Sequence, residues 1–155
     1  MGPIAKREQG NMNREWKALV ACTAILVAGQ AWGAAAQNET YKARLSVVPL
    51  DVAMQANVAG LGNVTATLVG NKLTVNGNVS GLKSPATDVH IHRGPKGIPG
   101  PAILDLQVTK ATNATISGTV DLSPQMVQDL KNEQLYVQLN SERAPDGNLR
   151  GWLLK

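Results

Sequence analysis

The chain contains no phenylalanine and only two tyrosines. Any core must therefore be filled by branched aliphatic side chains. There is a single cysteine, Cys22, so an internal disulfide and a thiolate metal cluster are both excluded. The imidazole supply is limited to His90 and His92. There is no basic run, which argues against a nucleic-acid partner. Apolar runs stop short of the roughly 20 residues that a spanning helix needs. A Gly-x-Ser-x-Gly elbow and a phosphate loop are both missing, and the carboxylates are scattered. With no acid/base pair in view, the chain is not expected to be an enzyme.

What is present begins with an export pattern. Arg14 and Lys17 precede an apolar stretch, Ala18 to Gly29, interrupted only by Thr23. Ala34-Ala35-Ala36 then supplies a small-residue exit. A basic start, an apolar run of about 7–15 residues and an A-x-A exit are the parts of a secretory signal peptide. Residues 1–36 are read as leader and signal, with Met12 the expected start, and residues 37–155 as the mature domain. Leu19-Val20-Ala21-Cys22 has the form of a lipoprotein box, but the apolar run continues past Cys22, which favours the ordinary signal. Cleavage removes Cys22 and four basic residues, leaving eleven basic and nine acidic side chains. The expected location is periplasmic or secreted, with no transmembrane segment once the signal is removed. Asn-x-Ser/Thr sequons occur at Asn38, Asn63, Asn78 and Asn113.

The mature chain alternates apolar and polar residues over short runs. Ala43, Leu45 and Val47 share one face of the first. Val64, Ala66 and Leu68 mark the second, and Gly70-Asn71 joins it to Leu73-Thr74-Val75 as a hairpin. Gly77 and Gly81 suggest a bend or bulge. Further strands follow at Val89 to His92, Ala102 to Val108, Ala114 to Leu122, Leu135 to Leu139 and Leu149 to Leu154. Pro145-Asp146-Gly147 reads as the turn joining the last two. Ser123 as N-cap and Pro124 at the first helical position open a short helix near 124–131. Eight short strands, one helix and no βαβ alternation predict an all-β fold, an antiparallel sandwich or flattened barrel.

One strand stands out chemically: Asp88-Val89-His90-Ile91-His92. Side chains at i and i+2 share a face, so Asp88, His90 and His92 point one way. Two imidazoles on one face are a start on a copper or zinc site, with Asp88 as a further ligand or acceptor. The alternative is structural: the histidines donate to carbonyls of the Gly94–Pro101 loop. That loop scans as three Gly-X-Y triplets, far too few for a collagen helix. Arg150 and Trp152 share a face of the last strand, either as a recognition surface or as a cation–π pair covering a sheet edge.

Taken in order, Gly62-Asn63-Val64-Thr65, Ser80-Gly81-Leu82, His90-Ile91-His92-Arg93-Gly94, Gly100-Pro101-Ala102-Ile103, Leu135-Tyr136-Val137 and Pro145-Asp146-Gly147-Asn148-Leu149-Arg150-Gly151 resemble the CHRD (chordin-type) domain, from about Tyr41 to Leu154. The resemblance is to small bacterial exported members. It implies an extracytoplasmic β-sandwich with no established reaction. The family strand bearing Tyr-Val commonly carries a further histidine, where this chain has Asn140. An acidic residue often stands where this chain has Asn148. Two functions follow as expectations. The first is a non-enzymatic binding module for an extracytoplasmic protein or small ligand, with Asn140, Arg150 and Trp152 as surface candidates. The second is copper or zinc binding through His90 and His92, no cofactor being otherwise implied.

Overall fold

The computed structural model describes residues 38–49 and 51–155. The signal-peptide reading of residues 1–36, Cys22 included, lies outside them. Strict alternation builds β1 (Glu39–Val47), β2 (Leu61–Val69) and β3 (Lys72–Ser80). Tyr41, Ala43, Leu45, Val64, Ala66, Leu68, Leu73 and Val75 turn inward and are buried. β2 and β3 form the expected hairpin, with Val69 opposite Lys72 across a two-residue turn. Gly70 opens that turn at φ +64°, in the left-handed region that glycine enters without a steric cost.

The remaining elements are β4 (Ala86–Arg93), β5 (Ala102–Val108), β6 (Ala114–Asp121), the helix α1 (Pro124–Lys131), β7 (Leu135–Ser141) and β8 (Ala144–Trp152). The strands close into an antiparallel barrel in the order β1-β2-β3-β6-β5-β4-β7-β8. Long ladders join β1, β2, β3 and β6 into one sheet, and β5, β4, β7 and β8 into another. Two short seams complete the circle. One is Ser46↔Arg150 and Val47↔Leu149; the other is Gln107↔Ser117 and Val108↔Ile116. The barrel is therefore two sheets stitched at their margins, which fits both the sandwich and the flattened-barrel expectation.

Between the sheets lies a core of aliphatic residues, among them Val89, Ile91, Ile116, Val137, Leu139 and Leu149, all at 0 % exposure. In α1, the Ser123 hydroxyl caps the Met126 amide at 3.3 Å and Pro124 occupies the first turn. Such a cap contributes about 1 kcal/mol. Leu130 enters the core, with Met126 and Val127 packed against it. Among the described residues, no helix is long and apolar enough to cross a membrane.

Three local expectations are corrected. Pro145-Asp146-Gly147 is not the final turn. Glu142 and Arg143 make the turn, and Pro145–Asn148 bulge out of β8 opposite the single residue Asn140. In β1 the alternation breaks at its end, so Val48 is buried and Val47 is 41 % exposed. Gly77 makes no bend, since β3 runs unbroken from Lys72 to Ser80. A Cβ at Gly77 would come within 2.7 Å of both the Asn63 carbonyl oxygen and Val64 Cγ2, so glycine there permits close approach of β2.

The outer faces of β2 and β3 carry threonine and asparagine. Asn63 pairs with Asn78 across them, both exposed, so these two sequons arise from strand alternation.

Glu39, at the start of β1, ties that strand to the end of α1 and to Lys155 beyond β8. Its carboxylate lies 2.9 Å from Lys155 Nζ and 3.1 Å from Lys131 Nζ, and accepts the Tyr41 hydroxyl at 2.9 Å. Hydrogen bonds from Lys155, Tyr41 and Lys131 lower its pKa from 4.5 to about 2. Burial first, and the neighbouring carboxylate second, push the Tyr41 phenol up to about 12. A carboxylate held below its unfolded pKa stabilises the fold above that value and loses its effect as pH falls through the folded one. Between pH 4.5 and about 2, the wild type should therefore lose more stability than Glu39→Gln. Urea midpoints measured across that window check this; parallel curves would refute it.

Candidate functional site

The pleat of β4 sends Val89 and Ile91 inward and leaves Asp88, His90 and His92 on the outer face. Neighbouring strands add to that face in register. His90 stands opposite Gln138 on β7, which stands opposite Arg150 on β8. One row along, His92 stands opposite Tyr136, which stands opposite Trp152. On the other side of β4, Asp105 of β5 pairs with His90.

The upper row forms one continuous polar chain. Asp105 Oδ1 lies 2.8 Å from His90 Nδ1, and Asp88 Oδ1 lies 2.9 Å from His90 Nε2. With a carboxylate at each nitrogen, both contacts are hydrogen bonds only when each nitrogen carries a proton. Asn140 Nδ2 donates to Asp88 Oδ1 at 2.6 Å, and the Thr87 hydroxyl donates to Asp88 Oδ2 at 2.7 Å. Burial raises the Asp88 carboxyl, but the hydrogen bonds from Thr87, His90 and Asn140 outweigh it and hold the group below its ordinary value of 3.8. Gln138 continues the chain, donating to Asn140 Oδ1 at 3.3 Å and to the Asp146 carbonyl at 3.2 Å. Its own carbonyl accepts from Arg150 Nε at 3.1 Å and Nη2 at 2.8 Å.

The lower row is an aromatic stack. His92 lies on Tyr136 with centroids 4.9 Å apart and planes at 17°, and Tyr136 meets Trp152 at 4.9 Å. The Arg150 guanidinium sits 5.2 Å above the Tyr136 ring, so its cation–π partner is Tyr136 and not Trp152. This stack is covered by the loop 94–101. The Tyr136 hydroxyl donates to the Gly100 carbonyl at 3.0 Å and accepts from the Gly100 amide at 2.9 Å. His92 Nδ1 donates to the same carbonyl at 2.9 Å, and Trp152 Nε1 donates to the Gly94 carbonyl at 3.0 Å. Because a carbonyl only accepts, His92 carries a proton on Nδ1, and in the neutral ring Nε2 is then the bare nitrogen. That Nε2 is buried without a partner among the described residues. Burial pushes the His92 imidazole below its ordinary 6.5, opposed by the Gly100 carbonyl and aided by the charges of His90 and Arg150.

The two histidines thus face different neighbours. Their rings are 6.1 Å apart at 76°, with His90 between carboxylates and His92 under the loop. Asn140 joins the Asp88 end, while Arg150 and Trp152 lie at the β8 end beside a cleft. Among the described residues, no three of His, Cys, Asp and Glu converge as a metal-ligand set. Asp105, Gln138 and Tyr136 were not singled out by sequence. The i, i+2 spacing of Tyr136, Gln138 and Asn140 was a usable signal, because it places all three on one face.

A family model described as the CHRD domain matches residues 41–153, and the chain belongs to that family. A search of the curated proteins finds no match, and a search of the solved structures finds none either.

Removing the Tyr136 hydroxyl leaves the half-buried Gly100 amide of the loop unpaired. An unsatisfied buried group costs about 1–3 kcal/mol. Tyr136→Phe should therefore lower stability by about that amount and speed amide exchange in residues 96–100, while core amides of β7 stay protected. Unchanged loop exchange would show that the clamp does not hold the loop.

Proposed function

We propose that this CHRD-domain chain is a non-enzymatic binding module acting outside the cytoplasm, periplasmic or secreted, on a protein or small ligand. The observation that carries the reading is the state of Arg150. Its guanidinium is oriented by two hydrogen bonds to Gln138 and by the Tyr136 ring, yet no carboxylate pairs with it among the described residues. A rigid, partly buried cation offered at the surface is a preorganised recognition group. The other polar side chains of this face support it: Asp88, Asn140 and Gln138 are bound to one another.

Capture from extracytoplasmic extract tests this. Immobilised wild type should retain a partner that Arg150→Gln loses. The double variant Lys72→Ala/Asp121→Ala removes an exposed ion pair of β3 and β6 and should retain it. Equal retention by all three would overturn the reading.

Copper or zinc binding through His90 and His92 is a second reading, favoured by the bare, buried Nε2 of His92. Calorimetric titration with Cu²⁺ and Zn²⁺ decides it. Stoichiometric uptake by wild type and none by His90→Ala/His92→Ala supports it, and equal weak uptake by both proteins ends it.

A further inference from the structure

A cleft of about 230 Å³ opens where the end of β1 meets β8. Val47, Val48 and Pro49 form one side, Arg150 and Trp152 the other, and Gly97 brings the tip of the 94–101 loop to it. The cleft straddles the Ser46↔Arg150 and Val47↔Leu149 seam that closes the barrel.

Its chemistry is asymmetric. The walls are aliphatic and indole apart from the Ser46 hydroxyl, and the Trp152 N–H is already spent on the Gly94 carbonyl. The charge is a single cation. Arg150 uses Nε and one N–H of Nη2 on Gln138, while its Nη1 makes no hydrogen bond or ion pair among the described residues. A guanidinium has two edges that can each take an acceptor pair. The Nε–Nη2 edge is engaged by Gln138; the Nη1–Nη2 edge remains, and its two parallel N–H groups match the two oxygens of a carboxylate end-on. The volume lies below the roughly 300–1,000 Å³ of drug-sized pockets, so the cleft suits one compact apolar group.

We propose that this cleft binds a small apolar carboxylate, the carboxyl group on the Nη1–Nη2 edge of Arg150 and the hydrocarbon against Val47, Val48, Pro49 and Trp152. The ligand class rests on the binding-module reading and deepens it. The carboxylate can be a free acid or the C-terminus of a peptide with an apolar last residue. Both present the same chemistry to Arg150.

Two-dimensional NMR titration of the protein distinguishes the cases. The probes are N-acetyl-leucine, its carboxamide, and acetyl-Gly-Gly-Leu with a free carboxyl group. N-acetyl-leucine should give saturable shifts at Val47, Gly97, Arg150 and the Trp152 indole. The carboxamide, and Arg150→Gln with the acid, should bind about tenfold more weakly or worse, the scale of one charge-assisted pair. Arg150 also orients Gln138, so Val47→Trp provides an independent control. That side chain is 41 % exposed at the rim, and enlarging it should abolish binding without moving the thermal midpoint. Equal binding by acid and peptide places all recognition in the last residue. Tighter binding by the peptide identifies a chain terminus as the source. Both outcomes support the proposal. Equal affinity for acid and carboxamide, wild-type affinity in Val47→Trp, or no saturable shift at millimolar probe overturns it. Should no probe bind while partner capture still depends on Arg150, the ligand class falls and the binding-module reading stands. Should the acid bind while capture ignores Arg150, the cleft stands and the partner surface lies elsewhere.

Discussion

Two hydrogen bonds between the Tyr136 phenol and the backbone of Gly100 hold a loop over a strand face that would otherwise meet water. A barrel strand ordinarily buries its inward side chains and solvates the others. Here β7 is buried on both sides, Val137 and Leu139 by the core and Tyr136 and Gln138 beneath their covering. Polar groups placed in such a setting must find partners, because an unmade hydrogen bond costs more there than at the surface. The linked run from Asp105 through His90, Asp88, Asn140 and Gln138 to Arg150 meets that requirement. The orientation of Arg150 is one product of it.

The arrangement is confined to one half of the barrel. All of these residues lie on β4, β5, β7 and β8, whereas the outer faces of β2, β3 and β6 carry exposed threonine, serine and asparagine. The two halves do separate work. The first contributes inward-facing Val64, Ala66, Leu73 and Val75 to the core. The second contributes its own aliphatic layer and also supports the polar and aromatic rows outside.

Much of the fold was legible because short-range physics decides it. Period-two alternation located the strands, Gly70-Asn71 the hairpin, and Ser123-Pro124 the helix, whose bounds match the expected 124–131. Pro145-Asp146-Gly147 misled because its turn chemistry serves a bulge rather than a chain reversal, and the two-residue turn Glu142-Arg143 has no strong turn signal of its own. The site was legible only within single strands. That Asp88, His90 and His92 share a face follows from spacing alone. That His90 meets Asp105, or that Tyr136 lies between His92 and Trp152, depends on which strands are neighbours and in what register. Covering of β7 by the 94–101 loop depends on a backbone path that has no periodicity to read.

The seam between β1 and β8 pairs Ser46↔Arg150 and Val47↔Leu149, with the Val48 amide donating to the Asn148 carbonyl and a bridge between Lys42 and Leu154 beyond it, and the cleft has walls on both sides of the paired stretch. An occupant gripping Arg150 while resting on Val47 spans that joint like a rivet. A ligand that binds the folded chain and not the unfolded one then adds to its stability by mass action. Thermal shift would serve as a ligand screen before any partner is identified, and the first amides to gain exchange protection would be those along the joint.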